Sequence, residues 1–235
     1  AIVNLYAQWN NSTYGDLPNP TKEYTVTYAD NNSKDTAVHT FNGWYRDSTK
    51  VTSTTDAQKS NHTLTASWTS KTITLQNRIK AGYAFGGWYK EKDCINKVGD
   101  AGASYEPESA DITLYPKWTA NTYQIKYDGN GATSGSMANS THIYDVAKAL
   151  TKNAYAKNHT VTFDYNGATG GNTPASKNIN FSFNSWTTQS NGTGNKYTDG
   201  ESVVNLSSTQ GDIVNLYAQW NNNTYGDLPK PTKVY

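Results

Sequence analysis

The chain is short of charge, cysteine and aliphatic side chains, and each shortage excludes a class of protein. Charged residues make up 17% of its 235 residues, and 20 Lys and Arg against 19 Asp and Glu leave a formal net charge of +1. A balance so near neutral removes the electrostatic basis for binding nucleic acid, an anionic membrane or an acidic partner. One cysteine, Cys94, excludes an internal disulfide and a cysteine-built metal cluster. Leu, Ile, Val and Phe number 9, 9, 11 and 5, together 34 of 235, too few for one large aliphatic core. No apolar run approaches the roughly 20 residues of a membrane-spanning helix, and no basic-then-apolar leader is found. Ala1 opens inside a strand-like segment, so the sequence reads as a piece of a longer chain with any targeting signal or anchor elsewhere.

What is present is aromatic. Eighteen Tyr and seven Trp supply side chains that each bury roughly 150–250 Å², enough for several small β modules. Repetition organises them. Ile2 to Lys22 returns as Ile213 to Lys233, with Asn223 for Ser12 and Lys230 for Asn19, at an offset of 213 − 2 = 211 residues. A unit of that length therefore recurs.

Shorter repeats nest inside it, each marked by a Phe-x-Gly/Ser-Trp strand and a later Leu-x-x-x-Trp strand. Phe41 to Tyr45 is followed by Leu64 to Trp68, Phe85 to Tyr89 by Leu114 to Trp118, and Phe183 to Trp186 by Leu216 to Trp220. These pairs use Trp44, Trp68, Trp88, Trp118, Trp186 and Trp220, which together with Trp9 are expected to form the aromatic cores. Trp9 closes a repeat whose partner precedes Ala1. The boundaries that follow are 1–9 as the closing strand of a preceding repeat, 10–68 and 69–118 as repeat modules, 119–220 as a longer module, and 221–235 as the start of the next.

The longer module carries two alternating segments, Tyr123 to Gly131 and Val161 to Gly167, both ending in Asx/Gly turn chemistry. Between them, Ile143 to Leu150 is Ala-containing and poor in β-formers, and is predicted to be a short helix. In the closing strand, Val214, Leu216, Ala218 and Trp220 share one face, which reads as core. By the same alternation Phe41 and Tyr45 stand opposite Trp44, and Gly43 and Gly87 mark a bulge or a close backbone approach.

Gly82-Tyr-Ala-Phe-Gly-Gly-Trp-Tyr89 with Asp111-Ile-Thr-Leu-Tyr-Pro-Lys-Trp118, Pro18-x-Pro-Thr-Lys22 and Tyr127-Asp-Gly-Asn-Gly131 resembles the Listeria-Bacteroides repeat, a family that includes the B repeat of internalin-type surface proteins. The resemblance implies predominantly β (α+β) architecture: tandem β-grasp-like modules with at most a short helix, in an elongated arrangement along a secreted or cell-wall protein. Residues 23–40 depart from the pattern by inserting a strand before Phe41. The third pair also lacks the Gly-Tyr-x-Phe approach and the Tyr after Trp186. The resemblance brings no catalytic residues with it.

Candidate chemistry is sparse. His39, His62, His142 and His159 are far apart and lack metal-ligand spacing. Cys94 has no motif around it. Asp128-Gly-Asn-Gly lacks the acidic ligands of a calcium loop and reads as a turn, as does Asp164-Tyr-Asn-Gly. Leu17-Pro-Asn-Pro-Thr and Leu228-Pro-Lys-Pro-Thr read as stiff linkers. No paired carboxylates, triad or phosphate loop stands out, so no enzyme activity, cofactor or metal is expected. Two functions remain: a stalk or adhesin scaffold whose partners are adjacent repeats of the same chain and a host protein, or a carbohydrate-binding module. In the second, Tyr6, Tyr45, Tyr89, Tyr115 and Tyr217 face outward as planar rings for a surface glycan. No nucleic-acid partner and no membrane insertion of this segment are expected.

Overall fold

The computed structural model describes residues 12–55, 57, 61–107, 110–167, 175–228 and 230, and every regular element among them is a β-strand. The chain divides into two compact units, residues 1–78 with 85–118 and residues 79–84 with 119–235. Trp9 and Tyr6 lie outside the described residues.

The first unit takes in β1 (Glu23–Tyr28), β2 (Lys34–Val38), β3 (Thr40–Arg46), β4 (Thr49–Val51), β5 (Thr65–Thr69), β6 (Ile73–Thr74), β7 (Tyr83–Tyr89), β8 (Lys97–Gly99), β9 (Ser104–Tyr105) and β10 (Ile112–Ala120). Five of these form one sheet in the order β2-β1-β10-β7-β8. β1 alternates Tyr24, Val26 and Tyr28 with Thr25 and Thr27, the pattern of a strand with one face in a core. It turns back through Asn32, which holds a left-handed φ of 57°, into antiparallel β2. On its other side it pairs parallel with β10, Val26 opposite Ile112 and Tyr28 opposite Leu114. Val26, Tyr28, Leu75, Trp88 and Leu114 make the buried cluster beneath. The remaining strands form a two-stranded ribbon, β6 with β9, and a three-stranded sheet in the order β4-β3-β5.

The second unit repeats this plan with β11 (Thr122–Asp128), β12 (Ser140–Ile143), β13 (Lys148–Ala149), β14 (Lys157–Val161), β15 (Lys177–Phe181), β16 (Phe183–Thr187), β17 (Lys196–Tyr197), β18 (Ser202–Val203) and β19 (Ile213–Trp220). Its five-stranded sheet runs β12-β11-β19-β16-β17. β11 pairs parallel with β19, Ile125 opposite Val214 and Tyr127 opposite Leu216. Position by position, Ile125, Tyr127, Leu150, Trp186 and Leu216 stand where Val26, Tyr28, Leu75, Trp88 and Leu114 stand in the first unit. β13 and β18 form a ribbon, and β14 and β15 form another that, among the described residues, joins no larger sheet.

Two sequence expectations are corrected. Ile143 to Leu150 is not a helix: β12 ends at Ile143, Asp145 takes φ of 60°, and Lys148 and Ala149 pair with Val203 and Ser202. The Asp145 backbone N–H donates to Asn205 Oδ1 at 2.6 Å, and Asn205 Nδ2 donates to Asp145 Oδ1 at 2.7 Å. A left-handed residue clamped in mid-segment breaks a right-handed helix, and eight residues cannot offset the cost of helix nucleation without tertiary help.

Phe41 also does not oppose Trp44. β3 pairs Phe41 with Trp68 and then Gly43 with Ser67, leaving Asn42 as a bulge. The extra residue shifts the alternation by one, so Phe41 and Trp44 share a face and their rings meet edge-on at 5.7 Å. Gly43, at φ of 128°, supplies the backbone freedom. The bulge recurs in the third pair, where Phe183 faces Trp220 and Ser185 faces Gln219. There Phe183 meets Trp186 at 5.1 Å, and in the second pair Phe85 meets Trp88 at 5.4 Å.

Leu216→Ala is expected to destabilise the second unit by about 2–5 kcal/mol, the range for emptying a fully buried aliphatic site. Ile213→Ala, at an exposed position of the same strand, should stay within about 0.5 kcal/mol. Urea unfolding of the two variants checks both values.

Candidate functional site

The most tightly built polar and aromatic arrangement in the first unit is centred on Arg78. Its guanidinium lies 5.1 Å from the ring centroids of both Tyr28 and Trp88. Nε donates to Asp30 at 2.6 Å, Nη1 to Gln76 Oε1 at 2.8 Å, and Nη2 to Ser33 Oγ at 2.8 Å and Asn31 Oδ1 at 3.1 Å. These partners belong to the turn between β1 and β2 and to the segment leading to β7. A planar fork that stacks on aromatics while binding a turn is a task for Arg, which Lys cannot reproduce. Tyr28 donates its hydroxyl to Asp35 Oδ2 at 2.8 Å, where Gln76 Nε2 also donates at 2.8 Å. Burial first, and the bond to Asp35 second, push the Tyr28 hydroxyl well above the ordinary tyrosine range. Nη1 also donates to the Asn77 carbonyl at 3.0 Å, so the guanidinium is engaged with the turn after β1 and the segment before β7.

In the second unit Tyr155 takes that place. It packs edge-on to Trp186 and donates its hydroxyl to the carbonyl of Tyr127 at 2.9 Å. Tyr127 shares a hydrogen bond with Ser140 Oγ at 3.0 Å and accepts one from the Thr151 N–H at 2.8 Å. Ser140 Oγ in turn meets His142 Nε2 at 3.0 Å. His142 is fully buried and stacked on Tyr123 at 5.5 Å, where the first unit has the small Ala37. Desolvation, assisted by the Lys148 charge, lowers the His142 pKa. Trp88 Nε1 donates to the Gln76 carbonyl at 2.7 Å, whereas buried Trp186 Nε1 has no hydrogen-bond partner.

The tyrosines expected to meet a ligand are dispersed. Tyr45 on β3, Tyr115 on β10 and Tyr217 on β19 are half-buried, and Tyr89 on β7 is buried beneath Lys117, whose Nζ lies 5.3 Å from its ring. Tyr115 lines a cavity of about 530 Å³ with Ala29, Asp30, Lys92 and Pro116. Trp88 and Trp186 are completely buried, and Trp44, Trp68, Trp118 and Trp220 are half-buried. Among the described residues no three His, Cys, Asp or Glu side chains are gathered as a metal would need. Asn130 and Asn166 take left-handed φ of 46° and 44° and donate their N–H to Asp128 and Asp164 two residues back, each at 2.8 Å. Both motifs are thus Asx turns.

Sequence reasoning missed Arg78. The available signal was scarcity: Arg46 and Arg78 are the only arginines, and Arg78 lies just before the Gly-Tyr-x-Phe approach.

The model of the Listeria-Bacteroides repeat domain family matches residues 36–67 and 68–117, so the resemblance holds across both. A protein of Evansella cellulosilytica named "Putative membrane protein" is 29% identical over 115 residues, 49% of this chain and 14% of that protein. The chain thus spans about a seventh of that relative's length. No solved structure matches. Among the described residues no helix is long and apolar enough to cross a membrane.

Two outcomes follow from this geometry. Arg78→Lys keeps the charge and loses the fork, and should cost the first unit about 2 kcal/mol, the scale of hydrogen bonds to a charged group, measured as a shift in its chemical unfolding midpoint. Burial depresses His142 in the folded state below its ordinary pKa of 6.5, so the unfolded chain binds the extra proton first. Stability of the second unit is then full above about pH 6.5 and falls as the pH drops below it. Thermal scans from neutral to mildly acid pH should show that fall, and His142→Ala should flatten it.

Proposed function

We propose that this chain is a non-catalytic segment of a bacterial surface protein, built from β-grasp-like modules and serving as a spacer or adhesin scaffold. The observation that carries this reading is duplication of the core. Two units place Tyr, Trp and Leu at the same positions around a parallel pair of first and last strands, and their best polar cluster is spent on holding a turn. The order β2-β1-β10-β7-β8, with β1 parallel to β10 and antiparallel to β2, supports the β-grasp-like reading. The repeat match and the 211-residue recurrence supply the tandem context. A scaffold requires units that repeat and fold reliably, and it needs no unique reactive centre.

A glycan-binding role rests on Tyr115, whose half-exposed ring borders a cavity with one acidic and one basic neighbour, Asp30 and Lys92. Stacking of a sugar on that ring is the specific form this second reading takes.

Antibodies raised against the segment should label intact cells that express the parent protein, and external protease should remove the label. Label found only after cell lysis would overturn the surface assignment. On a glycan array the chain should bind only if the second reading holds, and Tyr115→Ala should then abolish the signal; an array without signal removes that reading.

A further inference from the structure

The pieces of sheet do not come out even. Each five-stranded sheet is a Phe-Trp strand and its Leu-Trp closing strand, completed by a hairpin that lays its first strand parallel to the closing strand. β1-β2 completes the sheet of Phe85–Trp118, and β11-β12 completes that of Phe183–Trp220. Two fragments are left. Among the described residues, the Phe41–Trp68 sheet, β4-β3-β5, has three strands and no hairpin, and the hairpin β14-β15 has two strands and no sheet.

The leftover hairpin is a copy of the other two. His159-Thr-Val-Thr-Phe-Asp-Tyr-Asn-Gly167 aligns with Tyr123-Gln-Ile-Lys-Tyr-Asp-Gly-Asn-Gly131 and with Tyr24-Thr-Val-Thr-Tyr28. Its internal register agrees as well: Val161 faces Lys177 as Ile125 faces Ser140 and Val26 faces Asp35. The leftover sheet is likewise a copy. Phe41 faces Trp68 and Trp44 faces Ala66, as Phe183 faces Trp220 and Trp186 faces Ala218.

Both fragments are unfinished where they would meet. Val26, Tyr28, Ile125, Tyr127, Leu114, Leu216, Trp88, Trp186 and Ala218 are buried, whereas Val161, Phe163, Leu64, Trp44 and Ala66 at the same positions remain half-exposed. β11 continues as strand through Tyr127 to Asp128, and β14 stops at Val161, two residues short of Phe163. β19 is strand from Ile213, and the matching residues 61–64 carry no strand. Outside a β-ladder, main-chain pairing does not hold a segment extended.

We propose that the hairpin Lys157–Phe181 of one copy completes the three-stranded Phe41–Trp68 sheet of a second copy, so that consecutive 211-residue units interlock by exchange of a hairpin. The order of segments fits. β1-β2 passes over the Phe-Trp pair directly after it and completes the following one. β14-β15 is followed by Phe183–Trp220, which β11-β12 already completes. The sequence after that pair, Asn221 to Lys233, restates the one leading toward Phe41. The register seen in the two finished sheets places Thr162 opposite Thr63 and Phe163 opposite Leu64, with Phe163 over Trp44 as Tyr28 lies 4.5 Å from Trp88 and Tyr127 lies 5.0 Å from Trp186. The two copies add a parallel strand by main-chain pairing, with inward side chains setting register.

Cross-linking in trans tests it. In a Cys94→Ser background, a Thr63→Cys chain is mixed with a Thr162→Cys chain and oxidised, and a Thr209→Cys chain replaces the second as control. A disulfide-linked heterodimer several-fold more abundant than with the control is expected. In a dilution series by sedimentation, the unsubstituted chain should self-associate and Phe163→Asp should remove the association while leaving the circular dichroism of the folded chain. A heterodimer yield equal to the control, with a chain that stays monomeric at every concentration, would overturn the proposal. So would a Thr63→Cys, Thr162→Cys double variant that closes only within one chain.

Discussion

Everything in both units hangs on the parallel pairing of an early strand with the last one. Parallel neighbours cannot be joined by a tight turn, so the chain between them must cross over, and each sheet is closed only when its final strand arrives. The pairing sets Tyr28 against Trp88 and Tyr127 against Trp186. Such ring pairs contribute roughly 0.5–1.5 kcal/mol beyond area burial. In a chain with so few aliphatic residues, that contact replaces the layered Leu and Val packing of larger domains. Leu75 and Leu114 in the first unit, and Leu150 and Leu216 in the second, are buried in the same cluster as these rings.

The two units reach the same core with different polar chemistry. The first clips the turn after β1 with an arginine that stacks on both rings, and leaves the Trp88 indole N–H satisfied. The second uses Tyr155 for the clip, inserts His142 where the first has Ala37, and leaves the Trp186 N–H buried without an acceptor. Unpaired buried donors cost free energy, and the second unit has the larger apolar cluster, which adds Tyr123, Val203 and Ala218 to the five shared positions. That cluster is drawn from more of the chain, including Met137, Leu206 and Val214.

Much of this was legible in the sequence, because alternation and turn chemistry are local. Closing-strand faces, Asx turns at Asp128 and Asp164, and the Phe-x-Gly-Trp pairs could be read directly. Gly43 marks either a bulge or a close backbone approach; the structure has the bulge, at Asn42, and its one extra residue brings Phe41 and Trp44 to the same side, which strict alternation does not allow. The supposed helix at 143–150 failed for a non-local reason, since Asn205 and the Ser202–Val203 strand capture a segment whose own preferences are weak. Which hairpin completes which sheet was hidden for the same reason. Sequence order suggests neighbours, whereas β1 passes over the nearest Phe-Trp pair to meet β10.

Parallel pairing with a hairpin is what finishes each sheet. Amide hydrogen exchange on the 235-residue chain at dilution measures this strand by strand. Slowest exchange is expected for the amides of Val26 to Tyr28 and Ile125 to Tyr127 with their partners around Leu114 and Leu216, and fast exchange for Thr63, Leu64, Thr162 and Phe163. Equal protection of all these segments, or faster exchange at the parallel pairs than at the isolated hairpin, would contradict it.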